Sequence, residues 1–305
     1  MSAALPILAI TGPTAVGKTA LSLALAGRLG AEIVSVDSRQ IYRGLDIGTA
    51  KPSMEERARI AHHFIDERDP TAPISAGAFA REAEDRIEAI RARGSHALLV
   101  GGSMLYLNAL AHGIADVPPI DPGLQAQVRE QAATADGRAD LYRELTLGDP
   151  RAAETLDPSK SHRLIRLVSV LRSAGRPSDF WDNAPPPQHT IQLVALNRDR
   201  AELYARIDAR VYAMVEAGLV EETQSLLAQG YDPEALPLRT IGYREAAAYL
   251  HGTLTLDEMV GRIQRDTRRF AKRQLTWLRR DATVLWIHAD ASPQDVVDAV
   301  TTNRA

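Results

Sequence analysis

The sequence predicts an α/β fold in which a parallel sheet is flanked by helices and interrupted by an inserted all-helical subdomain. Three observations carry this. A glycine-rich loop stands between an apolar run and a strong helix former near the start of the chain, and strand-like and helix-like segments alternate through the first third. A central block bracketed by prolines then shows helical patterns and no strand-like run.

Leu5 to Ile10 is apolar without alternation, the pattern of a parallel strand buried on both faces. Gly12-Pro13-Thr14-Ala15-Val16-Gly17-Lys18-Thr19 follows, a complete G-x-x-x-x-G-K-[ST] phosphate loop, and Ala20 to Ala26 is strongly helix-forming. Strand, loop and helix in this order make the sheet P-loop NTPase-like; an ordinary glycine-rich βα turn is the alternative. The glycines let backbone N–H groups curl around phosphate oxygens, and the helix N-terminus adds unpaired donors and a favourable dipole. Lys18 is expected to reach the terminal phosphate and the Thr19 hydroxyl to bind Mg²⁺. The loop by itself signals a di- or triphosphate, ATP included, without saying which.

Glu32 to Val36 reads as a second strand ending at Asp37-Ser38, Ala78 to Arg93 as a helix ended by Gly94, and Ala97 to Val100 as a third strand closed by Gly101-Gly102-Ser103. In such a sheet ligands sit at the carboxyl ends of the strands, so Asp37 and Gly101–Ser103 are expected beside the phosphate loop. Helical stretches at Pro122 to Ala133, Arg138 to Leu147 and Ser161 to Ala174 lie between Val117-Pro118-Pro119 and Pro185-Pro186-Pro187. The domains are therefore expected at 1–116 with 188–305, and at 117–187. Ile191 to Leu196 returns to the sheet, long helices are expected over 199–229 and 255–280, and Val284 to Ile287 is a last strand.

Hydrophobic residues make up 45% of the chain and charged residues 25%, ample for a core and ordinary for a soluble protein. There are no cysteines, which excludes disulfides and thiolate metal sites and fits a reducing cytosol. No basic, apolar leader precedes the first strand, and no apolar run approaches the ~20 residues of a membrane helix. A cytoplasmic protein without membrane contact is expected.

Asp37 at a strand end faces two functional choices, holding Mg²⁺ through water or acting as a general base, with a helix N-cap as the structural alternative. Tyr42 to Lys51 is polar, basic and glycine-punctuated, suited to lining a substrate. His62-His63 point to different faces, so hydrogen-bonding or loop-ordering roles are favoured over metal. Between 262 and 280 stand Arg262, Arg265, Arg268, Arg269, Lys272, Arg273, Arg279 and Arg280 against one acid, Asp266, with Phe270 and Trp277 interleaved. A solvated face is the plain reading, yet the chain's net charge is −3. A strongly basic helix in a net acidic chain is the footprint of a phosphate-backbone partner. Arg206 and Arg210 stand four apart on a helix, placed either to close on a pyrophosphate or to pair with Glu202 and Asp208.

Together these segments resemble the tRNA dimethylallyltransferase (tRNA isopentenyltransferase) family in its shorter, bacterial form. The likeness rests on Gly12–Thr19, Asp37–Gly44, Asp46–Pro52, His62-His63, Gly101–Tyr106, Arg239–Arg244 and Ala271–Arg279, in order along nearly the whole chain. Two departures are small: Ser103 replaces the family's threonine, and without cysteines the zinc finger of eukaryotic members is impossible.

The resemblance implies transfer of a dimethylallyl group from dimethylallyl diphosphate to N6 of the adenosine 3′ of the anticodon, in tRNAs reading U-initial codons. It implies Mg²⁺ as cofactor and the anticodon stem-loop as partner, with the chain acting as a monomer. By motif position Gly12 to Thr19 hold the diphosphate, with Lys18, Thr19 and an arginine, Arg210 rather than Arg206, neutralising it. Asp37 takes the amine proton. Asp37, Ser38, Arg39 and Gln40 meet the flipped adenosine, and Ser103 touches RNA. His162, Arg163, Leu164, Ile165 and Arg166 in the insertion hold the stem-loop, as do Arg239, Thr240, Ile241, Gly242, Tyr243, Arg244, Lys272 and Arg273. The competing reading is a P-loop small-molecule kinase, which accounts for the loop and sheet but leaves the basic helix idle.

Overall fold

The structure, a computed structural model, describes residues 6–115, 117–157 and 160–302. Leu5 and the expected domain boundary at residue 116 lie outside these. The chain divides into two units, one running to Ala111 and resuming at Gln188, the other His112–Pro187.

In the first unit the elements are β1 (Ile7–Thr11), α1 (Lys18–Leu29), β2 (Ala31–Val36), α2 (Met54–Arg59), β3 (His62–His63), α3 (Ala76–Ala92), β4 (His96–Gly101) and α4 (Met104–His112). The helices of the second unit are α5 (Pro122–Gln131), α6 (Ala135–Gly148), α7 (Pro150–Glu154), α8 (Ser161–Ala174) and α9 (Pro177–Asp182). The first unit resumes with β5 (Ile191–Asn197), α10 (Arg200–Glu216), α11 (Leu219–Ala228), α12 (Tyr243–Leu250), α13 (Leu256–Leu278), β6 (Leu285–His288) and α14 (Pro293–Thr302).

All six strands are parallel, in the order β3-β2-β4-β1-β5-β6. Leu8 registers with Leu98 on one side of β1 and Gln192 on the other, and Val36 registers with Gly101. Thr11, Val36 and Gly101 therefore end their strands along one edge. The chain after β1 passes to one side of it and β5 lies on the other, so a crevice opens at that edge where the order reverses. Ile10, Val16, Leu25, Ile33, Leu98, Val194, Leu196 and Ile207 form the core between sheet and helices. The second unit has its own core, including Val128, Leu141, Leu145, Leu164 and Val168. Within it buried Asp149 accepts from Ala152 N at 3.1 Å and Ser178 N at 2.8 Å, capping α7 and tying α9 to it.

Two differences from the sequence expectation bear on the site. The helix expected over 199–229 breaks into α10 and α11 at Gly218, whose φ of 100° lies in the left-handed region open chiefly to glycine. The turn re-aims α11, which carries Glu222. The strand β3 was not expected, since a two-residue element has no period to read.

Candidate active site

The phosphate loop owes its shape to residues outside ordinary helical or strand geometry. Gly12 has a φ of 133°, and a Cβ there would lie 2.8 Å from the Leu196 carbonyl oxygen. Gly17, at φ 116°, starts α1 with no side-chain cap, and no acid stands in the first turn. The first N–H groups of α1 are thus left for an anion. By contrast α13 is closed by a Thr255–Glu258 capping box. Lys18 Nζ donates to the carbonyls of Gly12 at 3.0 Å and Pro13 at 2.8 Å. Burial brings its pKa down to about 8, the charge on Arg210 pushes the same way, and Asp37 opposes them. Thr19 is exposed, whereas Val16 is fully buried in the core and offers a ligand only its backbone.

Over this loop lie two arginines of α10. Arg206 Nε donates to the Ala15 carbonyl at 3.0 Å, and Arg210 NH1 donates to Thr14 Oγ1 at 3.3 Å. The alternative pairing within α10 does not occur: Glu202 pairs with Arg198, and Asp208 with Arg268. Burial lowers the pKa of Arg210, partly offset by Asp37. Two cations within electrostatic reach of Asp37 thus make a half-buried electropositive pocket, the kind of environment that stabilises a phosphate anion.

The carboxylate of Asp37 is held by its own turn. Its Oδ1 accepts from Arg39 N at 2.8 Å and Gln40 N at 3.3 Å, and no hydrogen bond to Oδ2 is seen among the described residues. No helix follows, so this is an Asx turn and not a helix N-cap. Ser103 Oγ accepts from Ser38 N at 2.8 Å, fixing the turn against the end of β4. Gln40 points inward, donating to the carbonyls of Thr49 and Ala50 at 3.1 Å. A cavity of about 680 Å³ joins these pieces, lined among others by Thr14, Lys18, Thr19, Asp37, Gln40, Thr49, Lys51, Gly102, Arg206, Arg210, Phe270 and Gln274.

This pairing of a phosphate cradle with a carboxylate can be set against known proteins. The sequence profile of the IPP transferase family matches residues 40–281. A tRNA dimethylallyltransferase of Salinibacter ruber is 48% identical, over 97% of this chain and 92% of its own. The chain belongs to the IPP transferase family. The solved tRNA isopentenylpyrophosphate transferase of Bacillus halodurans superposes with a TM-score of 0.71 at 35% identity, covering 99% of this chain and 98% of that one. A eukaryotic dimethylallyltransferase solved acting on tRNA gives a TM-score of 0.80 at 25% identity, covering 99% of this chain and 77% of that one.

In this IPP transferase the remaining expected contacts divide by exposure. Arg239, Arg244, Lys272 and Arg273 are exposed in the first unit; His162, Arg163 and Arg166 are exposed in the second. Thr240, Ile241 and Ile165 are half-buried. Three expected contacts need correction. Leu164 is 4% exposed and packs in the core of the second unit, so its side chain serves folding. Tyr243 is fully buried, its hydroxyl donating to Glu222 and accepting from Gly48 N at 3.2 Å, and Gly242 beside it is buried too. These residues shape the segment from within. The basic helix is likewise partly self-neutralised: Asp266 pairs with Arg265, Arg269 and Arg244. Arg273 stacks over Phe270, its guanidinium carbon 5.7 Å from the ring centroid.

Both histidines are engaged. His62 Nδ1 contacts the Ile60 carbonyl at 2.7 Å, and burial holds its pKa low. Arg86, which can only donate, meets His63 Nδ1 at 2.8 Å, so the Nε2–H faces Glu32 at 2.7 Å. Two important residues have roles the sequence does not show, although one of them, Gln274, lies in the Ala271–Arg279 segment of the resemblance. Glu222 accepts from the N–H groups of Asp46, Ile47 and Gly48 at 2.9 to 3.3 Å as well as from Tyr243, and so shapes the loop that carries Thr49 to Pro52. Gln274 is the other.

Hard oxygen donors suit Mg²⁺, and here the exposed Thr19 hydroxyl and the Asp37 carboxylate line one cavity. Among the described residues no group of three or more His, Cys, Asp or Glu side chains is placed to hold a metal. The residues present therefore fit an ion shared with a substrate's phosphates better than one in a protein cage. No helix among the described residues is long and apolar enough to cross a membrane.

Proposed function

We propose that this protein transfers a dimethylallyl group from dimethylallyl diphosphate to N6 of the adenosine adjacent to the anticodon on its 3′ side, in tRNAs that read U-initial codons. The observation that carries this is a half-buried cationic cradle and a carboxylate lining a single cavity, Lys18 and Arg210 on one hand and Asp37 on the other. A kinase on the same loop has no use for the exposed Arg239, Arg244, Lys272 and Arg273.

The chemistry follows from these groups. The N6 lone pair forms a bond to the allylic carbon while that carbon's bond to the diphosphate oxygen breaks, and the electron pair leaves with the diphosphate. Backbone N–H groups of Gly17 to Thr19, where α1 begins uncapped, together with Lys18 and Arg210 are placed to stabilise the charge that develops on the leaving group. An exocyclic amine conjugated with its ring is a weak nucleophile, and the proton it sheds goes to Asp37. Arg39 N and Gln40 N anchor Asp37 through Oδ1, which leaves Oδ2 for the amine. Mg²⁺, when bound, would be held by the Thr19 hydroxyl with phosphate oxygens, neutralising charge on the departing diphosphate. The adenine must leave its stack to enter the cavity, which Asp37 and Gln40 line.

The test is transfer itself. The protein is incubated with unmodified tRNA and either radiolabelled dimethylallyl diphosphate or γ-labelled ATP with candidate small acceptors. Label from the prenyl donor on tRNA is the expected outcome; label passing from ATP to a small acceptor, with none on tRNA, contradicts the reading.

A further inference from the structure

Gln274 lies on α13, one residue beyond Arg273, and is 3% exposed. Its Oε1 accepts from Thr14 N at 2.9 Å and its Nε2 donates to the Gly102 carbonyl at 2.9 Å. The partners fix the orientation of the amide, because a backbone N–H only donates and a carbonyl only accepts. The fit is close on the Gly102 side, where a Cβ would lie 2.4 Å from Nε2. The Gly101–Ser103 segment is itself clamped to β2. A Cβ on Gly101 would lie 2.0 Å from the Val36 carbonyl oxygen, Ser103 N donates to that oxygen at 3.2 Å, and Ser103 Oγ holds Ser38 N. One continuous set of hydrogen bonds thus runs from the phosphate loop through Gln274 and Gly102-Ser103 to the Asp37 turn.

We propose that Gln274 is a positioning residue for transfer, fixing the separation and angle between the diphosphate loop, which holds the donor, and Asp37, which receives the acceptor's proton. This rests on the function proposed above. The amide touches two backbones that move only with their loops, so it contributes geometry and not charge. Misplacing reacting groups by about 1 Å costs on the order of 100-fold in rate while leaving each binding surface intact. The effect therefore falls on the chemical step.

The test uses the full chain, with single-turnover rate and KM for each substrate measured in Gln274→Met, Gly102→Ala and the double variant. Gln274→Met keeps the length of the side chain and removes both bonds; Gly102→Ala drives a methyl against the same amide from the other side. Expected are falls of about 10- to 100-fold in single-turnover rate, with both KM values within about threefold of the parent. The double variant should be no slower than the slower single, since both break one link. If Gln274→Met does not fold, Gly102→Ala carries the test through the same rate and KM split. Rates within twofold of the parent, losses confined to KM, or losses that multiply in the double variant would overturn the proposal. An inactive parent in the same assay would instead overturn the function on which it rests.

Discussion

Arg210 NH1 donates to Thr14 Oγ1 at 3.3 Å, joining residues 196 positions apart in the chain, and Arg206 reaches the neighbouring Ala15 carbonyl from the same helix. The two arginines divide the task. Arg210 is half-buried and close enough to Lys18 to lower its pKa, whereas Arg206 lies at the exposed rim. In the proposed mechanism, removing Arg210 takes away a charge that gains importance as the diphosphate departs. Arg210→Ala should lower the transfer rate by about 100- to 1,000-fold, the scale of losing one donor to a developing oxyanion. Arg210→Lys should recover little of it, because an ammonium cannot present a planar fork to two phosphate oxygens. Arg206→Ala should act chiefly on KM for dimethylallyl diphosphate. Steady-state and single-turnover kinetics on the three variants check this; equal losses for the two alanine variants would contradict it.

Lys18 supplies a pH signature. In the ligand-free protein it titrates near 8, below its ordinary 10.5, because burial and Arg210 disfavour the cation. A bound diphosphate favours the cation and raises that pKa. Just above pH 8, binding dimethylallyl diphosphate should therefore take up protons, and affinity should weaken as pH rises further. The last ionisation of a phosphate ester, near ~6, is complete by then and cannot supply the signal. Calorimetry in buffers of different ionisation enthalpy reads the uptake directly; none in the parent protein would contradict the assignment. For the ligand-free fold, the unfolded chain holds this proton to higher pH than the native state. The Lys18 contribution to stability therefore rises between about 8 and 10.5.

Glu222 makes a structural prediction. Its carboxylate accepts from three consecutive backbone N–H groups and from the buried Tyr243 hydroxyl, whose pKa is pushed up first by burial and then by Glu222 itself. Glu222→Gln turns an NH₂ toward donors and leaves buried groups unpaired. That should cost about 1–3 kcal/mol of stability in urea titration. It should also raise the adenosine substrate's KM, because Thr49 to Pro52, which follow the residues Glu222 holds, line the cavity. Unchanged stability would show that the nest does not hold the loop.

Salt dependence separates the basic residues. Lys272 and Arg273 are exposed without an acidic partner among the described residues' ion pairs, while Arg265 and Arg269 share Asp266. Replacing Lys272 and Arg273 together by alanine should flatten the slope of log affinity against log salt for tRNA by roughly 1.4–1.8, about 0.7–0.9 for each phosphate no longer neutralised. Arg265→Ala should change it less. Equal slopes in all variants would remove α13 from the RNA interface.

The reach of sequence reading followed the range of the interaction. The phosphate loop, the strands ending at Thr11, Val36 and Gly101, and the helices at 122–131 and 161–174 were legible, because motif spacing and apolar periodicity are local properties. The break at Gly218 was not, since a lone glycine is tolerated within a helical pattern until the fold requires a left-handed residue there. The roles of Glu222 and Gln274 were least legible. Glu222 acts on Asp46 across 176 positions and Gln274 on Gly102 across 172, and on their helices each reads as an ordinary polar residue. Exposure was also misjudged where a motif mixes surface and core: Arg244 is outside while Tyr243, its neighbour, is fully buried.

In the proposed mechanism Asp37 is the residue on which transfer to the amine depends most directly. Asp37→Asn keeps the acceptor atom for Arg39 N and Gln40 N and removes the base. Single-turnover transfer of the dimethylallyl group to tRNA, measured alongside the tRNA Kd, should fall at least ~100-fold with affinity nearly unchanged. A rate close to that of the parent protein, with the Asp37→Asn variant folded and bound to tRNA, would contradict it.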